Sequence, residues 1–187
     1  MATPDEPQSR RRTPRPLDAA RLEELALGYV ARFSVPAGKF RAYLKRKLRE
    51  RGWAGEGEPP LDALVARFVA AGYIDDAAWA ATKSEGLLRR GYGQRRIAQA
   101  LGAAGIDEGL RDSLRGGEAE ARDAALRLAR RRGFGPFGKS LPERDQREKQ
   151  LAAMLRAGHR LDTARELVNA PDMAAAEEWA MAAGNGE

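Results

Sequence analysis

Residues 89–106 read RRGYGQRRIAQALGAAGI, and the punctuation of this stretch decides the fold. Ile97, Ala100, Leu101 and Ala104 recur at helical spacing, so one apolar stripe runs along a helix of about 93–104. Glycine marks a stop on both sides. Gly91 closes the preceding helix and Gly105 closes this one, each followed by a bulky residue, Tyr92 and Ile106. A glycine just past a helix takes the left-handed conformation that satisfies the last carbonyls, and the next side chain folds back onto the final turn.

The same punctuation appears at Gly52-Trp53, Gly72-Tyr73, Gly133-Phe134 and Gly158-His159. Gly52, Gly105 and Gly158 are separated by two equal intervals of 53 residues. Leu48, Leu101 and Met154 stand four residues before these stops, and Leu61, Leu114 and Leu167 nine after. Self-similarity at a fixed period is the signature of stacked supersecondary units that bury their faces on one another. Each unit reads as three helices, at about 18–33, 35–52 and 60–72, then 76–90, 93–104 and 107–115, then 117–132, 144–157 and 161–170. The phrase Leu17-Asp18-x-Ala20-Arg21 returns as Leu161-Asp162-x-Ala164-Arg165, a helix start in both places. Asp62, after Pro59-Pro60, is expected to cap the third helix with Leu61 as its staple. In the second helix Phe40, Leu44, Lys47 and Leu48 share a face, with Tyr43 beside them.

The fold expected is therefore all-α, an elongated array of three tandem three-helix repeats over residues 17–74, 75–116 and 117–170. Pro4, Pro7, Pro14 and Pro16 make residues 1–16 a disordered basic arm. Residues 171–187 form an acidic tail with one short helix around Trp179.

Composition narrows the function. The 187 residues are 43% hydrophobic and lack cysteine, which supports a core and excludes disulfides and thiolate metal sites. No uncharged run spans a bilayer and no apolar segment follows Arg10, Arg11 and Arg12, so a soluble cytoplasmic protein without membrane contact is expected. The net charge is +6, yet the tail from residue 171 holds four acids and no base, and the body over 17–170 carries +8. Such a body suits a polyanionic partner, or is simply an arginine-rich solvated surface. The sole histidine, His159, follows a helix-ending glycine and reads as structural. Asp75 and Asp76 are adjacent at a helix start and point apart, which suits capping rather than a metal pair. With no phosphate-binding glycine motif or nucleophile pattern, no enzyme, metal or cofactor is expected.

Three basic clusters are candidates for contact. Arg41, Lys45 and Arg49 form one outward stripe at i, i+4 and i+8, either a plain solvated face or one answered by an anion. Around the hinge, Arg89 and Arg90 close one helix, where cations suit the dipole. Arg95 and Arg96 open the next, where they do not, so a reason outside local stability is expected for them and for Tyr92 between. Arg130, Arg131 and Arg132 precede Phe134 and Phe137, which either stack on a nucleic acid beside the basic run or anchor a long loop to the core.

The segment Asp75-Asp76, Trp79-Ala80, Arg89-Arg90-Gly91-Tyr92-Gly93, Arg95-Arg96-Ile97, Leu101 and Gly105-Ile106 resembles the central repeat of the RecX family of regulatory proteins. Lys47-Leu48, Arg51-Gly52 and Gly72-Tyr73-Ile74-Asp75 are similar to the first repeat. Arg147, Lys149, Met154 and Gly158 fit the third, where His159 replaces the usual aromatic. The resemblance covers about residues 17–170. It implies a monomeric modulator, most often an inhibitor, of the RecA recombinase in recombination, repair and the SOS response. Such a protein lies in the groove of the RecA–DNA filament and meets nucleic acid within that filament, binding it weakly alone. For such a contact the candidates are the residues of the basic clusters above: Arg41, Lys45, Arg49, Arg89, Arg90, Tyr92, Arg95, Arg96, Arg131 and Arg132. The rival is a direct DNA binder, since Gln94–Leu114 reads helix, glycine turn, helix. Against it, Leu101 replaces the usual small residue before the turn, and Asp107, Glu108 and Asp112 burden the second helix.

Overall fold

The computed structural model describes residues 15–183, and among them the secondary structure is helical. The elements are α1 (Ala19–Val30), α2 (Ala37–Arg51), α3 (Leu61–Ala70), α4 (Asp76–Arg89), α5 (Gln94–Gly102), α6 (Glu108–Ser113), α7 (Glu118–Arg132), α8 (Arg144–Arg156), α9 (Leu161–Asn169) and α10 (Met173–Ala182). A short 3-10 turn, Gly135–Phe137, interrupts the loop between α7 and α8. The all-helical expectation is met, each expected helix is present, and α10 supplies the short helix around Trp179. The basic arm expected at 1–16 lies outside the described residues except for Arg15 and Pro16, and so does the end of the acidic tail beyond residue 183.

All six glycine stops read from the sequence adopt positive φ, from 64° at Gly133 to 96° at Gly158. The chain divides into two compact units. Among the described residues, one includes the chain up to Ser34 and Phe40–Tyr73, and the other comprises Val35–Lys39 with the described residues from Ile74. In the first, Leu22, Ala26, Phe40, Leu44, Leu64, Val65 and Phe68 are buried together with Leu17. Leu17 pairs with the end of α2 as a single parallel bridge to Trp53, donating to the Gly52 carbonyl at 2.9 Å and accepting from the Ala54 amide at 2.8 Å. Asp18 caps α1 by accepting from the Arg21 amide. Asp62 does not cap α3 as expected. Pro60 holds the cap position, and the Asp62 carboxylate instead meets Arg41 at 2.9 Å, because the N-terminal end of α3 lies beside α2.

The second unit is built around two apolar clusters. Ala80, Leu87, Ile97, Leu101, Ala104 and Ile106 form one, and α7, α8, α9 and α10 enclose the other around Leu128, Met154 and Leu167. Tyr92 packs against both. Two of the close backbone crossings seat a helix start on a glycine stop. A Cβ on Gly38 would lie 2.6 Å from the Ala104 carbonyl oxygen, and one on Gly93 would lie 2.4 Å from the Gly158 carbonyl. In each case the start of one helix sits on the glycine stop of another, which only a residue without a side chain permits. The two aspartates at the head of α4 divide the work there. Asp75 caps its own helix through the Ala78 amide at 2.8 Å, while Asp76 reaches back to the Ala37 amide at 2.7 Å.

Candidate functional site

Helix α4 ends in a Schellman-type stop: the Tyr92 amide donates to the Leu87 carbonyl at 3.1 Å and the Gly91 amide to Leu88 at 2.7 Å. Gly91 lies directly on α7, where a Cβ would come 2.8 Å from the Leu128 amide. Two residues later the Gly93 amide donates to the Ala157 carbonyl at 2.9 Å, and the Arg95 amide to Gly158 at 3.3 Å. The hinge is thus clamped between α7 and the end of α8. His159 completes the clamp: it is 3% exposed, with Nε2 2.9 Å from the Gly91 carbonyl oxygen. Burial pushes its imidazole below the usual value, opposed by that hydrogen bond.

The clamp brings Tyr92 and Arg96 to the same side as the last turn of α7 and the last turn of α8. Together they line a cleft of about 480 Å³ with a floor of Leu128, Ala153 and Ala157, flanks of Tyr92 and Phe134, and a rim of Arg96, Arg131, Arg132 and Arg156. No acidic residue lines it. None of the four guanidinium groups meets a carboxylate among the described residues, whereas Arg130 next to them pairs with Glu177. Four arginines held around one hollow repel each other, and an anion placed there relieves the repulsion while receiving planar, forked donors suited to carboxylate or phosphate.

The sequence candidates separate accordingly. Tyr92, Arg96, Arg131 and Arg132 converge on the cleft. Arg89 does not. It pairs with Glu85 and lines a different hollow that also contains Glu120 and Asp123. Arg90 folds over the Tyr92 ring with its Nε donating to the Gly86 carbonyl, which steadies the aromatic flank from behind. Arg95 is exposed but outside the cleft. Its placement at a helix start has a local answer, since the opening amides of α5 face the closing carbonyls of α8 and the two helix dipoles meet with opposite ends. Arg41, Lys45 and Arg49 belong to the other unit. The stripe expected there is shorter by one, because Arg41 is engaged by Asp62.

Among the arginines and aromatics of the cleft, Arg156 is the one the sequence did not single out, while Phe134 was read as either stacking on a nucleic acid or anchoring the loop. Arg156 had a weak signal, a cation in the last turn before Gly158. Both phenylalanines of the loop pack on the core, and the loop is tied down by Gly135, whose amide donates to Gln150 Oε1 at 2.8 Å. Phe134 still faces the cleft, while Phe137 lies beneath Arg130, 5.8 Å away. The helix–turn–helix alternative fares poorly: α6 spans only six residues and opens on Asp107 and Glu108. Among the described residues no cluster of three or more His, Asp or Glu is arranged to hold a metal ion, and no helix is long and apolar enough to cross a membrane.

Comparison with known proteins gives a consistent result. No family model matches the chain. It is 30% identical over 167 residues to the regulatory protein RecX of Myxococcus xanthus, covering 83% of this chain and 88% of that relative. With the regulatory protein RecX of Thermus thermophilus it shares 39% identity over 83 residues, 44% of this chain and 55% of that protein. Among solved structures, a crystal structure of regulatory protein RecX matches with a TM-score of 0.60 at 18% identity, covering 80% of this chain and 70% of the other. RecX from Lactobacillus salivarius matches with a TM-score of 0.60 at 16% identity, covering 80% and 93%. At those identities the structural likeness speaks for the fold.

Proposed function

Because the chain belongs to the RecX family of regulatory proteins, we propose that it regulates the RecA recombinase, as an inhibitor, by binding in the groove of the RecA–DNA filament. The observation that carries the reading is the cleft of Arg96, Arg131, Arg132 and Arg156 flanked by Tyr92 and Phe134. A protein–DNA filament offers phosphates and acidic side chains side by side, and a rim of arginines without internal partners is suited to either. The proposal carries with it a cytoplasmic, monomeric protein whose residues 17–74, 75–116 and 117–170 act as three homologous repeats. The equivalent conformations of Gly52, Gly105 and Gly158 support that last point.

The test uses RecA assembled beforehand on single-stranded DNA, with ATP hydrolysis and filament binding measured at moderate salt. Added protein is expected to suppress hydrolysis. The double variant Arg96→Glu/Arg131→Glu is expected to lose most of that effect, and Arg95→Glu, outside the cleft, to keep it. No effect of the parent protein at several-fold excess refutes the function. Full inhibition by a folded double variant refutes the cleft as the contact.

A further inference from the structure

The first unit carries a second basic cleft, built from aromatic rings. Tyr29 near the end of α1 stacks face to face on Tyr43 of α2, with centroids 3.7 Å apart and planes 6° apart. Phe33, in the turn after α1, lies 5.2 Å from Tyr29 and is tilted by 48°. It is 54% exposed, although Tyr29 lies beside it. These rings, with Arg32, Arg46 and Lys47, border a hollow of about 510 Å³ that no acidic residue lines. Arg46 and Lys47 lie over the Tyr43 ring at 5.6 and 6.0 Å. Both share one carboxylate, Glu50, at 3.5 and 2.6 Å, and Lys47 holds that carboxyl below its ordinary value. Arg32 meets no carboxylate among the described residues, so the hollow has three cations beside a single acid.

Gly28 also lines it. Glycine inside a helix is less favourable than alanine, and such a position usually has a packing reason. Here a Cβ would have nothing within 4 Å, so no neighbour demands the glycine. Its effect is to leave the hollow open beside the rings.

We propose that this cleft binds single-stranded nucleic acid, with a base stacked against Phe33 and the Tyr29–Tyr43 pair and the backbone phosphates on Arg32, Arg46 and Lys47. Exposed aromatic faces interleaved with cations accept any base by its π-face and follow the strand by charge. An acidic peptide would use the cations and leave the aromatic faces in water. A duplex hides its base faces. The site is separate from the arginine cleft, and its readout needs no RecA, so its failure and that of the proposed function are distinguishable.

The experiment is fluorescence anisotropy of a labelled oligodeoxythymidine of about 16 nucleotides, the upper end of common single-strand site sizes, with the full chain alone. Phe33→Ala is expected to weaken binding roughly tenfold, within the range for losing one stacked base. Gly28→Leu fills the hollow while favouring the helix, so it is expected to lose binding with its fold intact by circular dichroism. An abasic strand with the same number of phosphates is expected to bind the parent protein as weakly as oligodeoxythymidine binds Phe33→Ala. The arginine-cleft variant Arg131→Glu is expected to retain the dependence on Phe33. The proposal is overturned if Phe33→Ala and Gly28→Leu bind as the parent does, or if the abasic strand binds equally well. It is also overturned if polyglutamate displaces the strand at equal charge concentration, or if thymidine monophosphate alone binds as tightly as the strand.

Discussion

The substitution Gly93→Ala isolates the backbone crossing on which the arginine cleft depends. Gly93 has φ −81° and ψ 166°, a conformation alanine adopts freely, so any cost comes from space alone. The added Cβ would lie 2.4 Å from the Gly158 carbonyl carbon and oxygen and 2.6 Å from the His159 amide nitrogen. Those are backbone atoms, unable to rotate away. Ordinary van der Waals contact requires the start of α5 to retreat from α8 by about 1 Å. That retreat breaks the bond from the Gly93 amide to Ala157, now 2.9 Å, and the longer one from Arg95 to Gly158 at 3.3 Å. Losing one to two backbone bonds at about 0.5–1.5 kcal/mol each, with overpacking of about 1–3 kcal/mol, bounds the destabilisation at about 1.5–6 kcal/mol, and the middle of that range, about 2–4 kcal/mol, is expected. The measurement is urea unfolding followed by far-ultraviolet circular dichroism. With an m-value of about 2 kcal/mol/M the midpoint falls by about 1–2 M. Gly28→Ala is the matched control, since nothing lies within 4 Å of its Cβ and its φ is not left-handed. It should stabilise by about 0.5–1 kcal/mol. The same chemical change then has opposite signs at two sites. A Gly93→Ala protein within about 0.5 kcal/mol of the parent would refute the close crossing and, with it, the clamp that assembles the cleft.

Leu101→Ala, at a side chain 1% exposed, is expected to cost about 2–5 kcal/mol. Leu48→Ala, at the matched position 53 residues earlier but half-buried, should cost about 1 kcal/mol, and equal losses in urea titrations would contradict the burial pattern. His159, the only histidine, has a folded-state pKa held below its ordinary 6.5 by burial, so the unfolded chain takes up the proton first as pH falls. Stability is therefore complete above about pH 6.5 and declines below it. The urea midpoint should drop between about pH 7.5 and 5.5, and His159→Gln should flatten that slope. A parent protein with no slope in this window would contradict the buried neutral imidazole. Arg122 donates to the Trp179 carbonyl at 2.9 Å and lies 4.5 Å from its ring, tying α10 to α7. Arg122→Ala should loosen the amides of 173–182 in hydrogen exchange by on the order of 1 kcal/mol. Unchanged protection would show that the Arg130–Glu177 pair and the packing of Ala176 and Ala180 hold the helix without Arg122.

Helix positions and their stops were legible along the chain because both are local matters. Periodicity announces which face is apolar, and Gly91, Gly105 or Gly158 announces where the helix must end, whatever lies around it. The resemblance carried by residues 75–106 likewise needed only the order of the residues, and the relatives bear out the family it pointed to. Charges were harder to place. Arg41, Lys45 and Arg49 looked equivalent in sequence, yet Arg41 is taken by Asp62 from a neighbouring helix. Arg95 and Arg96 looked like one cluster, yet adjacent residues on a helix point about 100° apart, and only Arg96 reaches the cleft.

Spacing alone therefore determined where helices run and where they stop, since both depend on residues a few positions apart, while the family was pointed to by the particular residues of 75–106 that carry the resemblance. The cleft was decided by the tertiary structure. Arg96, Arg131 and Arg156 come from three different helices and share a rim only because Gly91 and Gly93 let backbones approach to distances that no side chain would tolerate. Aromatic exposure was decided there too. Phe33 is 54% exposed in the turn after α1, while Tyr29 beside it stacks on Tyr43, an arrangement set by the packing of α1 on α2.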